Sequence, residues 1–158
     1  GICGGYQMLC RKISDPYGVE EGGQIEGLGL VEAETVFGRQ KMRTRVNGQF
    51  GKVSGVLSEL SGARFEGYEI HMGRSDGPCP VLTGSGNVYG TYIHGVFDAP
   101  GIADGVLRAV CAQRGIDPGR LESFDLQEYK NQQYDLLADG VRRGLDMDYV
   151  YRVLRREV

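Results

Sequence analysis

Apolar residues at Tyr6, Leu9, Cys10 and Ile13 recur with a helical rhythm among strong helix formers, and predict a short helix over Tyr6 to Ile13, directly after Gly4-Gly5. Ser14 to Gly29 holds Pro16 and five glycines and reads as a loop whose composition also suits a site wall. Leu28-Gly29-Leu30-Val31 and Thr35-Val36-Phe37 read as strand segments. From Met42 to Gly95 the pattern is one of strands, Met42 to Phe50, Arg64 to Met72 and Asn87 to Phe97, separated by the turns Gly73-Arg74-Ser75-Asp76-Gly77 and Gly84-Ser85-Gly86-Asn87. Alternation puts Tyr68, Ile70 and Met72 on one face and Glu69 and His71 on the other, with Tyr92 and His94 together opposite Thr91 and Ile93. Both histidines therefore fall at or near predicted strand ends, where open α/β sheets carry their sites.

After Pro100 the period changes. Ile102 to Arg114 fits a helix with Val106, Ala109 and Val110 inward, closed by Gly115 and followed by Pro118. Leu126 to Leu145 and Tyr149 to Val158 complete a helical tail. The expected organisation is one domain over 1–158, with sheet and site motifs in 1–98 and the tail over 100–158 as part of it.

Composition narrows the function classes. A chain of 158 residues buries about two-thirds of its surface on folding, enough for a real core. A net charge of −3 gives no electrostatic footprint for nucleic acid or an anionic membrane, and no apolar run approaches the roughly 18 residues of a span. Neither partner is expected. Glycine, 26 of 158, is enriched over its roughly 7% average without a three-residue period, so the backbone turns tightly in many places. Cys3, Cys10, Cys79 and Cys111 have neither the density of a secreted disulfide scaffold nor a C-x-x-C pair, which fits a reduced cytoplasm. Two histidines and scattered cysteines make no zinc site.

Gly1-Ile2-Cys3-Gly4-Gly5 has the form G-x-C-x-G, a nucleophile elbow with Cys in place of Ser. In such a turn side chains at Gly1 or Gly5 would collide with the neighbouring strand and helix, while the helix start favours a thiolate and leaves the Gly4 N–H facing an oxyanion. Taken alone, Cys3 is equally a small core residue. A thiol nucleophile needs a base, and the chain offers His71 and His94. His94 precedes Gly95, which lets the strand end sharply; the competing reading is a hydrogen-bonded core histidine.

Three blocks in order, Gly1-Ile2-Cys3-Gly4-Gly5-Tyr6-Gln7-Met8-Leu9, Gly67-Tyr68-Glu69-Ile70-His71-Met72-Gly73 and Gly90-Thr91-Tyr92-Ile93-His94-Gly95-Val96-Phe97-Asp98, together resemble the glutamine amidotransferase domain of cobyric acid synthase. The resemblance implies an α/β fold: a three-layer, flavodoxin-like class I glutamine amidotransferase sheet, truncated at its N-terminal side, with a C-terminal helical tail. It implies that Cys3 attacks the glutamine amide to form a γ-glutamyl thioester, that His94 is base and then acid, and that Gly4 supplies half of an oxyanion hole. Gln7, Glu69 and His71 are the residues it suggests for holding glutamine. Their alternatives are helix surface for Gln7 and a solvated strand face for Glu69 and His71.

Triad amidotransferases carry a carboxylate two residues after the histidine; here that position is Val96, with Asp98 the next acid, which resembles a Cys-His dyad and leaves the imidazole orienter unnamed. The resemblance also implies a synthetase domain outside this chain, where ATP and Mg²⁺ would activate a corrinoid carboxylate for amidation in cobalamin biosynthesis. No cofactor is expected in the chain itself. Gly84-Ser85-Gly86 lacks the Gly-Lys-Ser/Thr of a P-loop. Because the chain begins at the elbow, weak or no glutaminase activity and poor solubility are expected of it alone. The alternatives are the amidotransferase domain of cobyrinic acid a,c-diamide synthase or of a cell-wall lipid amidotransferase, and a non-catalytic fragment. Arg142, Arg143, Arg152, Arg155 and Arg156 read as a solvated helical face, and Cys10 as core.

Overall fold

The computed structural model describes residues 1–76, 81–99, 101–120 and 125–157, so Gly77 of the predicted turn, Cys79 and Pro100 lie outside the described residues. Two compact units are present, Gly1–Glu122 and Ser123–Val158. The first is mixed α/β, as expected. Its main sheet has the order β2-β1-β3-β4, built from β1 (Lys12–Asp15), β2 (Gly23–Glu26), β3 (Glu34–Gln49) and β4 (Arg64–Ser75). β1 runs parallel to β3, while the β1/β2 and β3/β4 pairs are antiparallel. β5 (Thr83–Ser85) and β6 (Val88–Gly90) form a separate hairpin. No helix among the described residues is long and apolar enough to cross a membrane.

Several predicted elements move. The first helix, α1, covers Gly4–Leu9 and stops short of Ile13, because Cys10 turns extended and Lys12–Asp15 is drawn into the sheet against Glu34–Val36. The predicted loop after it contains a hairpin of β1 and β2. Every residue of β2 is exposed, so no alternation announced it. Leu28 to Val31 is no strand: the N–H groups of Leu28, Leu30 and Val31 donate to the carbonyls of Met8 and Leu9, using acceptors that the end of α1 leaves open. The two predicted segments at 35–37 and 42–50 are one strand interrupted by a bulge between Phe37 and Met42.

β4 continues through Ser75, past the predicted turn at Gly73, because β3 extends far enough to pair with it. The predicted strand over Asn87 to Phe97 pairs regularly only over Val88–Gly90. Beyond it Thr91 and His94 make isolated bridges to Ile2 and Tyr68, and Gly95, at φ 75°, turns the chain into a 3₁₀ turn over Val96–Asp98. Tyr92 and His94 consequently do not share a face. Tyr92 stacks on His71 and His94 on Tyr68, residues on opposite sides of β4.

The predicted helix Ile102–Arg114 is observed as α2, ended by Gly115 at φ 63°, whose N–H donates back to the last turn. Its buried stripe is Ile102, Gly105, Ala109 and Cys111; Val106 packs at the edge of the core, whereas Val110, expected inward, is exposed. One core gathers Phe50, Leu60, Phe65, Ile93, Val96 and Ile102; a second, under α1, holds Tyr6, Cys10, Val31, Ala33 and Tyr92. Cys10 is 0% exposed, as expected of a core cysteine.

The second unit consists of α3 (Leu126–Gly144) and α4 (Met147–Leu154). α4 begins two residues before the predicted start at Tyr149, because the Asp146 carboxylate accepts from the Tyr149 N–H and caps it there; Asp125 caps α3 through Glu128. The five arginines of this unit are exposed, with Arg142 on Asp139 at 3.0 Å.

Two predictions follow from packing and capping. Gly67 lies where the chain at 93–94 crosses β4, and a methyl there would meet the His94 carbonyl oxygen and sit 2.5 Å from Ile93 Cγ2. Gly67→Ala is expected to cost about 1–3 kcal/mol in urea unfolding, the usual range for overpacking; an unchanged midpoint would mean that this segment is free to move off β4. Asp15 organises the turn after β1. Burial pushes its carboxyl up, but N–H donors from Glu20, Val19, Gly22 and Tyr17 outweigh that and hold it below the ordinary carboxylate range. Its stabilising contribution is complete above the unfolded value of about 3.9 and is lost as pH falls through the lowered folded value. Asp15→Asn should therefore lower the thermal midpoint at pH 7, with the gap closing in acid below about pH 4; a gap independent of pH would contradict this.

Candidate functional site

Cys3 sits between the pairing segment at Ile2 and the start of α1, with φ 51° and ψ −111°. Among the described residues only Cys3 and Arg156 have positive φ without being glycine. A left-handed backbone at a residue with a β-carbon is strained, and persists because the surroundings hold it. Here they do so from both sides. The Cys3 N–H donates to the Thr91 carbonyl at 2.8 Å, the Thr91 N–H donates to the Gly1 carbonyl at 3.1 Å, and the Cys3 carbonyl accepts from Gln7 in α1 at 3.0 Å.

Gly1 is needed sterically, as expected: a β-carbon there would lie 2.5 Å from the Gly5 carbonyl and 2.7 Å from Tyr6 N. Gly5 departs from the expectation, since a β-carbon at that position meets nothing within 4 Å. The tightness of the elbow is thus carried by its first glycine. Gly4 opens α1, where backbone N–H groups have no acceptor within the helix.

The Cys3 thiol is partly accessible and donates to the Ile70 carbonyl at 3.7 Å. Two residues earlier on the same strand, Tyr68 holds His94: its N–H donates to the His94 carbonyl at 3.1 Å, the His94 N–H donates back at 2.8 Å, and the two rings stack with centroids 5.0 Å apart and planes 8° from parallel. Nε2 of His94 is buried and has no hydrogen-bond partner among the described residues. β4 therefore touches both residues, the cysteine through Ile70 and the histidine through Tyr68. Beside Tyr68 and Gly95 opens a cleft of about 800 Å³ that presents Arg43 and Arg45 together with Glu69 and Asp98.

The remaining candidates, Gln7, Glu69 and His71, are brought together beneath the elbow. His71, 9% exposed, donates from Nδ1 to the Gly73 carbonyl at 2.7 Å and places Nε2 3.1 Å from Glu69 Oε2. Its ring stacks on Tyr92 at 4.0 Å. The Tyr92 hydroxyl meets Ser75 Oγ, which meets Thr35 Oγ1, both at 2.8 Å, and Thr35 donates on to the Cys10 sulfur at 3.7 Å. Burial pushes the Tyr92 phenol up, against hydrogen bonds from Ser75, Gln7 and Thr35 that pull it down. Gln7 is 7% exposed and packs over Gly73, where a β-carbon would lie 2.5 Å from its Nε2. His71 thus occupies a buried strand face, in place of the solvated face considered as its alternative, and Gln7 is no part of an exposed helix surface.

Sequence reasoning missed Tyr68 and the Ile70 carbonyl as parts of the site. Both lie in the central block of the three, but their contacts join residues 26 and 67 positions apart, which no local pattern encodes. Among the described residues no group of three or more His, Cys, Asp or Glu side chains is placed to hold a metal ion.

Comparison with known proteins agrees with this arrangement. Residues 1–102 match the CobB/CobQ-like glutamine amidotransferase domain. The whole chain is similar to the cobyric acid synthases of Ruminiclostridium cellulolyticum, at 46% identity, and Lachnoclostridium phytofermentans, at 42%, covering 34% and 36% of their lengths. That of Dehalococcoides mccartyi is 38% identical, again over 100% of this chain and 35% of the relative. The chain spans about a third of the length of these relatives. Its mixed α/β architecture is consistent with a flavodoxin-like class I amidotransferase fold. An elbow cysteine, a strand that touches both it and a histidine, and a match that covers both residues lead to one conclusion: the chain belongs to the CobB/CobQ-like glutamine amidotransferase family.

Proposed function

We propose that this chain is the glutamine-hydrolysing part of a cobyric acid synthase and that Cys3 and His94 carry its chemistry. The observation that supports this most directly is the strained backbone of Cys3, held at the start of α1 by hydrogen bonds to Thr91 and Gln7. A buried structural cysteine has no need of that strain.

In this reading His94 takes the proton of the Cys3 thiol, and the thiolate sulfur adds to the side-chain amide carbon of glutamine while the carbonyl π electrons move to oxygen. The Gly4 N–H stabilises the resulting oxyanion. When the tetrahedral species collapses, the C–N bond breaks and His94 delivers a proton to the departing nitrogen, giving ammonia and a γ-glutamyl thioester. His94 then takes a proton from water, the hydroxide adds to the thioester, the C–S bond breaks to release glutamate, and His94 returns its proton to the sulfur. Nε2 of His94 suits this alternation, because among the described residues it has no hydrogen-bond partner to compete for its proton. Gln7, Glu69 and His71 act one layer beneath, fixing α1 against β4. ATP with Mg²⁺ and the corrinoid carboxylates that receive ammonia belong, in this proposal, to the longer protein of which the relatives give the pattern. A cytoplasmic setting fits that pathway.

A diazo-ketone mimic of glutamine, followed by intact mass measurement, tests the reading. One adduct at Cys3 is expected, suppressed by excess glutamine and absent from Cys3→Ala. His94→Ala should slow its formation by about 10²-fold or more, in line with the loss of a general acid–base group. An adduct that persists in Cys3→Ala, or that ignores glutamine, would remove the proposal.

A further inference from the structure

We infer that Tyr68 is the positioning residue for the His94 imidazole, orienting it by ring stacking where other catalytic histidines are oriented by a carboxylate. This rests on the reading of Cys3 and His94 as nucleophile and base.

A catalytic imidazole must present one chosen nitrogen to the nucleophile, so something must fix rotation about the bond that carries the ring. A carboxylate does so by accepting from the other ring nitrogen. Among the described residues no hydrogen-bond partner reaches Nε2 of the His94 ring, and the position two residues on is Val96, which is buried in the core. What the ring does have is a parallel aromatic face. The centroid separation of 5.0 Å and interplanar angle of 8° place Tyr68 in an offset stack with it. Turning the imidazole out of that plane would drive its edge into the Tyr68 ring.

The stack is itself built rigidly. The reciprocal backbone hydrogen bonds between Tyr68 and His94 set both α-carbons, and Gly67 removes the side chain that would keep the two segments apart. Gly95, in the left-handed region at φ 75°, turns the chain away directly after His94. The imidazole is therefore fixed at its root by backbone pairing and at its tip by one ring. Tyr68 is 49% exposed, and it acts on the imidazole through the plane of its ring, with no part for its hydroxyl.

The test uses this chain and compares labelling of Cys3 by the diazo-ketone in the unsubstituted protein and in Tyr68→Leu, Tyr68→Phe, His94→Ala and the Tyr68→Leu/His94→Ala double variant. Tyr68→Leu should lower the maximal labelling rate about 10- to 100-fold, the scale of a misplacement near 1 Å. The half-saturating concentration of the reagent should stay within about twofold, since Tyr68 is inferred to touch the imidazole and not the ligand. Tyr68→Phe should restore the rate to within about threefold of the unsubstituted protein, because the plane is kept. In the His94→Ala background Tyr68→Leu should have no further effect, since a residue that acts only through His94 has nothing left to act on.

Circular dichroism checks that each variant is folded, and Tyr68→Val, which favours a strand, stands in if the leucine variant is not. The inference is overturned if Tyr68→Leu labels at the unsubstituted rate, if phenylalanine is as slow as leucine, if only the half-saturating concentration changes, or if the double variant is slower than His94→Ala. Those results leave the underlying reading standing. An unsubstituted chain that does not label at Cys3, or His94→Ala labelling at full rate, removes that reading and the inference with it.

Discussion

The site depends on one short stretch of backbone pairing, where Gly1 to Cys3 lies parallel to the chain at Thr91. Each N–H that Cys3 and Thr91 donate to the opposite strand satisfies a buried polar group and fixes an α-carbon. With Cys3 held on that side and α1 beginning immediately on the other, the chain has no room for an ordinary turn, and Cys3 takes up the strain. The same pairing sets where the thiol points. Gly1 is the steric condition for it, because any β-carbon there would strike the first turn of α1.

Beneath this pairing lies a buried polar chain that does a different task. His71, Tyr92, Ser75, Thr35 and Cys10 connect β4, the segment after β6, β3 and the end of α1 in one run of contacts. Buried polar groups are costly when unpaired and specifying when satisfied, so such a chain admits only the arrangement in which every member finds its partner. Tyr6 adds an edge-on contact to Tyr92 at 5.1 Å, and Gly90 leaves the space that the Tyr6 ring fills. Gln7 and His71, which the resemblance suggests for holding glutamine, lie buried in this layer.

What was legible in the sequence was local. The elbow could be read because its steric demands fall within five residues, and α2 because its period and the closing glycine agree along one segment. β1 and β2 were hidden, since their pairing depends on Glu34–Val36 and the outer strand has no buried face to pattern it. Leu28 to Val31 shows the converse: a convincing apolar run whose hydrogen bonds go to the end of a helix. The division of labour between His94 and His71 followed from motif resemblance. Their physical difference, one ring with a nitrogen that has no partner among the described residues and one with both nitrogens engaged, appears only once the chain is folded.

One strand, β4, touches both the elbow cysteine and His94, which are distant in sequence. Tyr68 and Ile70 stand on the same face of β4, one repeat apart, at about 6.5–7 Å by the rise of a strand. The Tyr68 ring stacks on His94, and the Ile70 carbonyl accepts from the Cys3 thiol. β4 then acts as a ruler between the two, and its accuracy depends on regular pairing with β3. The register from Met42–His71 to Gln49–Arg64 is unbroken, and the bulge that absorbs the mismatch lies beyond it, toward Phe37 and Gly73. A slip of one residue within the regular stretch would turn Tyr68 and Ile70 to the other face. The irregularity is tolerated because it falls outside the span that measures the site.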